Sequence, residues 1–366
     1  MKEQNEKKKG QPLYLQLYVQ LKQDIVDGVR PMGSKLPSKR TLAEKHGISV
    51  IPVEHALTLL CDEGYVESRE RSGYFVIYRR DDFFSAPEKE APERDPEPVR
   101  MPTERQTERY AFPFSVLARK MRKVMLDHGD GLLVKSPNRG CPELRAAIAA
   151  YLRRSGGIVC DPEQIVIGSG AEYLYSMIVQ LLGAERTFAV EDPCYAQIER
   201  VYAANGVRTE KLAIGRNGIR SEALNRSSAT VLHVTPFHSY PSGVTADASK
   251  RREYLAWAAA RHGFVIEDNY DSELTVSRKN EDTLFATAQG GNVLYLNTFS
   301  QTVAPSIRVG YLILPPALVE EFDRKLGFYS CTVPVFEQYL LTELLVSGDF
   351  ERHINRVRRR KRSAAK

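Results

Sequence analysis

Leu296-Asn297-Thr298-Phe299-Ser300-Gln301-Thr302-Val303-Ala304-Pro305-Ser306-Ile307-Arg308-Val309-Gly310-Tyr311 decides the fold. It leaves one short apolar run, 293–297, and enters another, 309–314, through a polar turn. Runs of this length suit strands buried on both faces. Others lie at 164–168, 187–191, 230–234 and 264–267, separated by helical stretches at 172–182, Ala196–Ala204 and 249–261. Strand–helix alternation predicts an α/β domain with a mostly parallel sheet covered on both faces. Ligands on such sheets bind at the carboxyl ends of the strands, and the polar words of this half sit there.

The composition is that of an ordinary globular protein: 366 residues, 42% hydrophobic, 27% charged, net charge +6. That mild positive balance suits a nucleic-acid partner without requiring one. The five cysteines (Cys61, Cys141, Cys160, Cys194, Cys331) are scattered and form no C-x-x-C pair. This speaks for a reducing compartment and against a disulfide framework or a zinc site. The lysine-rich start, Met1 to Gly10, is no signal peptide, and no run of about 18 apolar residues exists to span a membrane. The expectation is a cytoplasmic protein with no metal.

The stretch 79–110 separates two domains, 11–78 and 111–366. Pro87, Pro92, Pro96, Pro98 and Pro102 stand among charges with almost nothing apolar, as in an exposed linker. Ahead of it, Leu17, Leu21 and Ile25 recur at helical spacing and Gly28 stops that helix. Ser38 is placed to cap a second helix ending at Gly47, and Ser49 a third, with Pro52 in its first turn. Tyr65 to Glu67 and Tyr74 to Ile77 alternate as strands around the basic loop Arg69-Glu70-Arg71-Ser72-Gly73. Three helices and a basic-tipped hairpin make a winged helix-turn-helix.

Pro12-Leu13-Tyr14, Leu36-Pro37-Ser38-Lys39-Arg40-Thr41-Leu42-Ala43, Gly64-Tyr65-Val66 and Ser72-Gly73-Tyr74-Phe75-Val76 resemble the DNA-binding domain of GntR-type regulators. The resemblance implies that Lys39 and Arg40 of the second helix face DNA. With them come Ser49, Val50, Ile51 and Pro52 at the start of the third helix, and Arg69, Arg71 and Gly73 of the wing. At that start the usual arginine and threonines are replaced by Val50, Ile51 and Pro52. Apolar groups make no bidentate contact to guanine but can touch a thymine methyl, so weak or A·T-leaning readout is expected.

A second resemblance, to fold-type I aminotransferases, rests on five words in order: Gly168-Ser169-Gly170-Ala171-Glu172, Glu191-Asp192-Pro193-Cys194-Tyr195, Thr235-Pro236-Phe237-His238-Ser239-Tyr240-Pro241-Ser242-Gly243, Glu267-Asp268-Asn269-Tyr270-Asp271-Ser272-Glu273, and the opening stretch. It implies that Ala171 and Glu172, with Thr298, Ser300 and Arg308, hold the phosphate of pyridoxal phosphate. Tyr195 would stack near the ring, Asp268 would pair with the pyridine nitrogen, and Tyr270 would meet the ring hydroxyl. His238 and Tyr240 match the third word, while Ser239 replaces its usual glutamine. In that family the opening stretch reads Ser-Lys-(six residues)-Arg-x-Gly, and the lysine forms the Schiff base. Here Ser300, Arg308 and Gly310 keep the pattern, and Gln301 takes the place of the lysine.

A carboxamide nitrogen is not nucleophilic and forms no imine. Lys279 is a poor substitute, because imine chemistry needs near-attack placement. The expectation is no catalytic residue, and pyridoxal phosphate held weakly and non-covalently if bound at all. The two resemblances together make the chain similar to MocR-type regulators over about residues 11–360. They imply a homodimer formed by the large domain and an amino-acid or pyridoxal-phosphate-type effector. Effector binding would be coupled to the placement of two winged helices on DNA. Two readings compete: a pyridoxal-phosphate-dependent aminotransferase, and a truncated regulator that retains DNA binding only. The family's further C-terminal portion is not in this sequence, which ends in the basic tail Arg356 to Lys366. Its loss predicts exposed apolar surface over 322–345, and the tail is read as either a solvated helix end or a phosphate-seeking arm.

Overall fold

The computed structural model describes residues 12–79, 112–270, 272–274, 282–289 and 291–364. Apart from Arg79 the expected linker lies outside the described residues, as does Lys279. The chain forms two compact units, one with the N-terminal helices and hairpin, the other with the large sheet.

The first unit holds helices α1 (Leu13–Val26), α2 (Lys39–His46) and α3 (Val50–Asp62), then strands β1 (Val66–Arg69) and β2 (Gly73–Val76). Leu17, Leu21 and Ile25 of α1 meet Leu42 of α2, Val53, Leu57 and Leu60 of α3, and Val66 and Val76 of the hairpin. The Ser38 side chain accepts from the Thr41 N–H at 3.2 Å, so α2 is capped as its sequence implies. Ser49 departs from expectation: it holds the cap position of α3 but its side chain makes no capping bond. The hairpin also runs further than expected. Arg69 and Gly73 are paired ends of the strands, which leaves Glu70, Arg71 and Ser72 as the tip.

The second unit is built on one eight-stranded sheet, ordered β3-β10-β9-β8-β7-β4-β5-β6. The strands are β3 (Ile165–Gly168), β4 (Thr187–Asp192), β5 (Arg208–Gly215), β6 (Gly218–Ile219), β7 (Val231–Val234), β8 (Phe264–Asp268), β9 (Val293–Thr298) and β10 (Gly310–Ile313). From β9 through β8, β7 and β4 to β5 all neighbours are parallel, whereas β10 pairs antiparallel with both β3 and β9. Alternation along each strand feeds two cores. Ile165, Ile167, Val293 and Tyr295 enter one layer, while Val166, Leu294 and Leu296 enter the other. The first layer also takes side chains from helices α5 (Pro142–Gly156) and α9 (Ala248–Ala260), the second from α6 (Ala171–Leu182) and α7 (Ala196–Ala204).

The apolar exposure expected over 322–345 is a correction. Phe322, Leu326, Leu340, Leu341, Leu344 and Leu345 are buried, while Phe328 and Tyr329 stay exposed. The cause is packing: α11 (Val319–Leu326) lies on α6, and α12 (Val335–Val346) lies against α4 (Phe114–His128) and α5. Over its described residues, 356–364, the basic tail is neither a free arm nor a fully solvated end. It belongs to α13 (Asp349–Ala364), which buries Ile354 and Val357. Arg358 Nε donates to the Glu273 carbonyl at 2.6 Å, and Lys361 Nζ to that of Leu274 at 3.2 Å.

Candidate functional site

In the first unit the residues expected to face DNA fall into two groups. Lys39 pairs with Glu54, and Arg69 pairs with Glu67 while its guanidinium lies 4.5 Å from the centre of the Phe75 ring. These contacts hold both side chains against their neighbours. Arg40, Ser49, Val50 and Arg71 are exposed, and Ile51 at the start of α3 is 77% exposed. Pro52 is half-buried behind them, and Arg71 turns the wing tip at φ 60°.

In the second unit a cavity of about 270 Å³ opens at the carboxyl ends of the strands. It is lined by Ala171, Glu172, Tyr195, Asp268, Tyr270, Thr298, Ser300, Gln301 and Arg308. Sequence words more than a hundred residues apart thus meet in one place. Gly170 caps α6 at φ 92°, and a Cβ there would lie 3.1 Å from the Arg308 guanidinium. Glycine therefore serves both the backbone turn and the close approach of Arg308. The first turn of α6 presents unpaired backbone N–H groups, an anion-seeking arrangement. Arg308 donates to the Glu172 carboxylate, and Ser300 Oγ donates to the Ile307 carbonyl at 3.0 Å.

At the other end lies Asp268, 2% exposed at the tip of β8. The Tyr175 hydroxyl donates to its Oδ2, and His233 Nε2 is 3.5 Å from the same oxygen. Tyr202 in turn holds His233 Nδ1 at 2.6 Å. The other oxygen, Oδ1, is buried and has no hydrogen-bond partner. An orphaned carboxylate oxygen on a cavity wall lacks a donor, and a protonated ring nitrogen supplies one.

Two further carboxylates lie buried near these strand ends. Glu191 accepts from Ser239 Oγ at 2.6 Å, so the serine that replaces the usual glutamine has a partner of its own. Glu267 accepts from the N–H groups of Leu284 and Phe285 at 3.0 and 2.8 Å. Burial pushes both carboxyls up to about 7. The folded state then holds their protons more tightly than the unfolded chain does. Their contribution to stability is complete below about pH 4.5 and is lost as pH rises towards 7. Glu267→Gln should flatten the fall in urea midpoint between pH 5 and 7. An unchanged slope would contradict the burial of this charge.

His238 is a correction. It is exposed at φ 51° and does not line the cavity; its carbonyl accepts from the Tyr270 hydroxyl at 3.2 Å. Missed from the sequence were Tyr175 and Ile198, which lie within regular helical text; Thr235 stands in the third word without a role assigned to it. Tyr240 was noted only as a pattern match, and here it faces Tyr195 edge-on, ring centres 6.1 Å apart. A period-3.6 count from Glu172 reaches Tyr175 and was the available signal.

Comparisons with known proteins agree with this architecture. Residues 13–76 match the family "Bacterial regulatory proteins, gntR family", and residues 107–365 match "Aminotransferase class I and II", a pyridoxal-phosphate-binding family. The chain is 33% identical to the uncharacterized HTH-type transcriptional regulator YdeL of Bacillus subtilis (strain 168), covering 95% of this chain and 76% of that protein. It is 29% identical to the probable rhizopine catabolism regulatory protein MocR of Rhizobium meliloti, over 95% and 74%. Among solved structures, LysN, the α-aminoadipate aminotransferase of Thermus thermophilus complexed with N-(5′-phosphopyridoxyl)-L-leucine, superposes with a TM-score of 0.60 at 27% identity. That match covers 68% of this chain and 64% of LysN, a little under two thirds. The chain belongs to the MocR-type family of HTH transcriptional regulators, which join a GntR winged helix to an aminotransferase class I and II domain.

Proposed function

We propose that this regulator works in the cytoplasm as a homodimer formed by its large unit. That unit binds a ligand of the pyridoxal phosphate type non-covalently, as an effector, and does not transaminate. The observation that carries the reading is Gln301 in the wall of the cavity, among residues that otherwise suit the cofactor. Asp268 would hold the ring nitrogen through its unpartnered oxygen. Tyr195 would stack on the ring and Tyr270 would reach its hydroxyl. Ala171, Glu172, Thr298, Ser300 and Arg308 would form the phosphate cup. When bound, the cofactor supplies an electron-withdrawing ring. With Gln301 in place of a lysine, the described cavity lining has no amine to hold the ligand covalently and none to move a proton, so binding is weak.

On the DNA side, Arg40 and Arg71 supply exposed cations, and Ile51 supplies an apolar tip suited to thymine methyl groups. No helix among the described residues is long and apolar enough to cross a membrane.

The test is fluorescence anisotropy of the full chain on its own upstream DNA, at fixed salt, with and without pyridoxal phosphate. Binding is expected, with an affinity that shifts on adding the ligand and no turnover of amino acids. Arg40→Ala should weaken binding across all sequences and lower the salt slope by about one. Turnover, or a DNA affinity indifferent to the ligand, would overturn the effector reading.

A further inference from the structure

The cavity's polar walls say which form of the ligand they suit. Asp268 offers an unpartnered carboxylate oxygen. Arg308 is already neutralised by Glu172. Gln301 is exposed on the lining, and its carboxamide has no hydrogen-bond partner among the described residues. The lining thus carries two carboxylates against one guanidinium, with a neutral donor–acceptor group where the related enzymes carry an amine.

Resting on the reading above, we propose that the cavity selects the amine form of the ligand, pyridoxamine 5′-phosphate, over the aldehyde form. The amine form is a cation at its side arm. The Gln301 carbonyl accepts a charge-assisted hydrogen bond from that ammonium, stronger than the neutral bond its NH₂ group can give to an aldehyde. A lysine at this position would do the opposite: it would repel the ammonium and capture the aldehyde covalently. The exchange of Lys for Gln therefore inverts a preference as well as removing a reaction.

Isothermal titration calorimetry of the full chain with pyridoxamine 5′-phosphate, pyridoxal phosphate and inorganic phosphate tests this. The amine form should bind about tenfold tighter than the aldehyde, and inorganic phosphate weakest of the three. Gln301→Leu should bring the two cofactor forms to within about twofold. Gln301→Lys should reverse the order and retain the aldehyde through dialysis. Both variants change an exposed side chain, so the fold is kept, and circular dichroism verifies it. Equal binding of the two forms by the unaltered chain, or tighter binding of the aldehyde, overturns the selection while leaving the effector reading in place. Binding of neither form overturns both.

Discussion

Leu57→Ala should abolish DNA binding while the large sheet stays folded. Leu57 is fully buried in α3, at the centre of the apolar cluster that α1, α2 and the hairpin share. Truncating a buried leucine to alanine costs about 2–5 kcal/mol, the lost burial plus the cavity left behind. A domain of this size has only about 5 kcal/mol or so of stability to lose. The α3 start and the wing both depend on that cluster for their positions, so the recognition surface disappears with it. Calorimetry should show one transition moving down by ten degrees or more, on the order expected for a small domain, and a second unmoved. DNA affinity within twofold of the parent chain would mean that α3 is held by something other than this core.

Gly140→Ala should damage the large unit as heavily, and through it the cavity. Gly140 sits at φ 91°, and an added Cβ would lie 2.5 Å from Ile167 Cγ1 and 2.9 Å from the Gln338 carboxamide oxygen. Ile167 is in β3, the strand that delivers Gly170 and the start of α6 to the site. Gln338 is fully buried and its Oε1 accepts from the Cys141 N–H at 2.6 Å. Neither neighbour has room to retreat. Backbone strain and overpacking together should cost about 3 kcal/mol. The expected readout is a lowered urea midpoint for the large unit, with ligand affinity falling in step. An unaffected midpoint would show that this loop adjusts freely.

The sheet was legible where its strands are buried on both faces, because continuous apolar runs such as 293–297 have few other uses. β5 and β6 were not. β5 lies towards the far side of the sheet and buries only Leu212, so Arg208, Glu210 and Lys211 hide the strand in polar text. The phosphate-cup words were readable because glycines before a helix and a Ser–x₇–Arg spacing leave a local imprint. Tyr175 and Ile198 reach the cavity through the turns of two helices, which no local word announces, while Thr235 stands in a word that gave it no role. His238 matched its word and still points elsewhere, since a left-handed backbone at that residue turns the side chain outward. Ser49 holds its place in the pattern without the bond the pattern implies. The expectation of a bare apolar surface over 322–345 counted side chains without knowing that α4, α5 and α6 would cover them.

The insertion of β10 between β3 and β9 has a kinetic consequence. Gly168 pairs with Gly310, so one wall of the cavity waits on a pairing that spans much of the large unit. Contacts so distant along the chain form slowly, after the local helices and the consecutive parallel strands. Helix α6 with its Gly170 cap can exist before this closure, but Gln301 and Arg308 cannot yet stand opposite it. Any molecule that binds the finished cavity stabilises only chains that have completed the sheet, by mass action. A molecule that fits the cavity would then act as an inspector of maturation, raising the amount of competent regulator on top of any shift in the affinity of each copy.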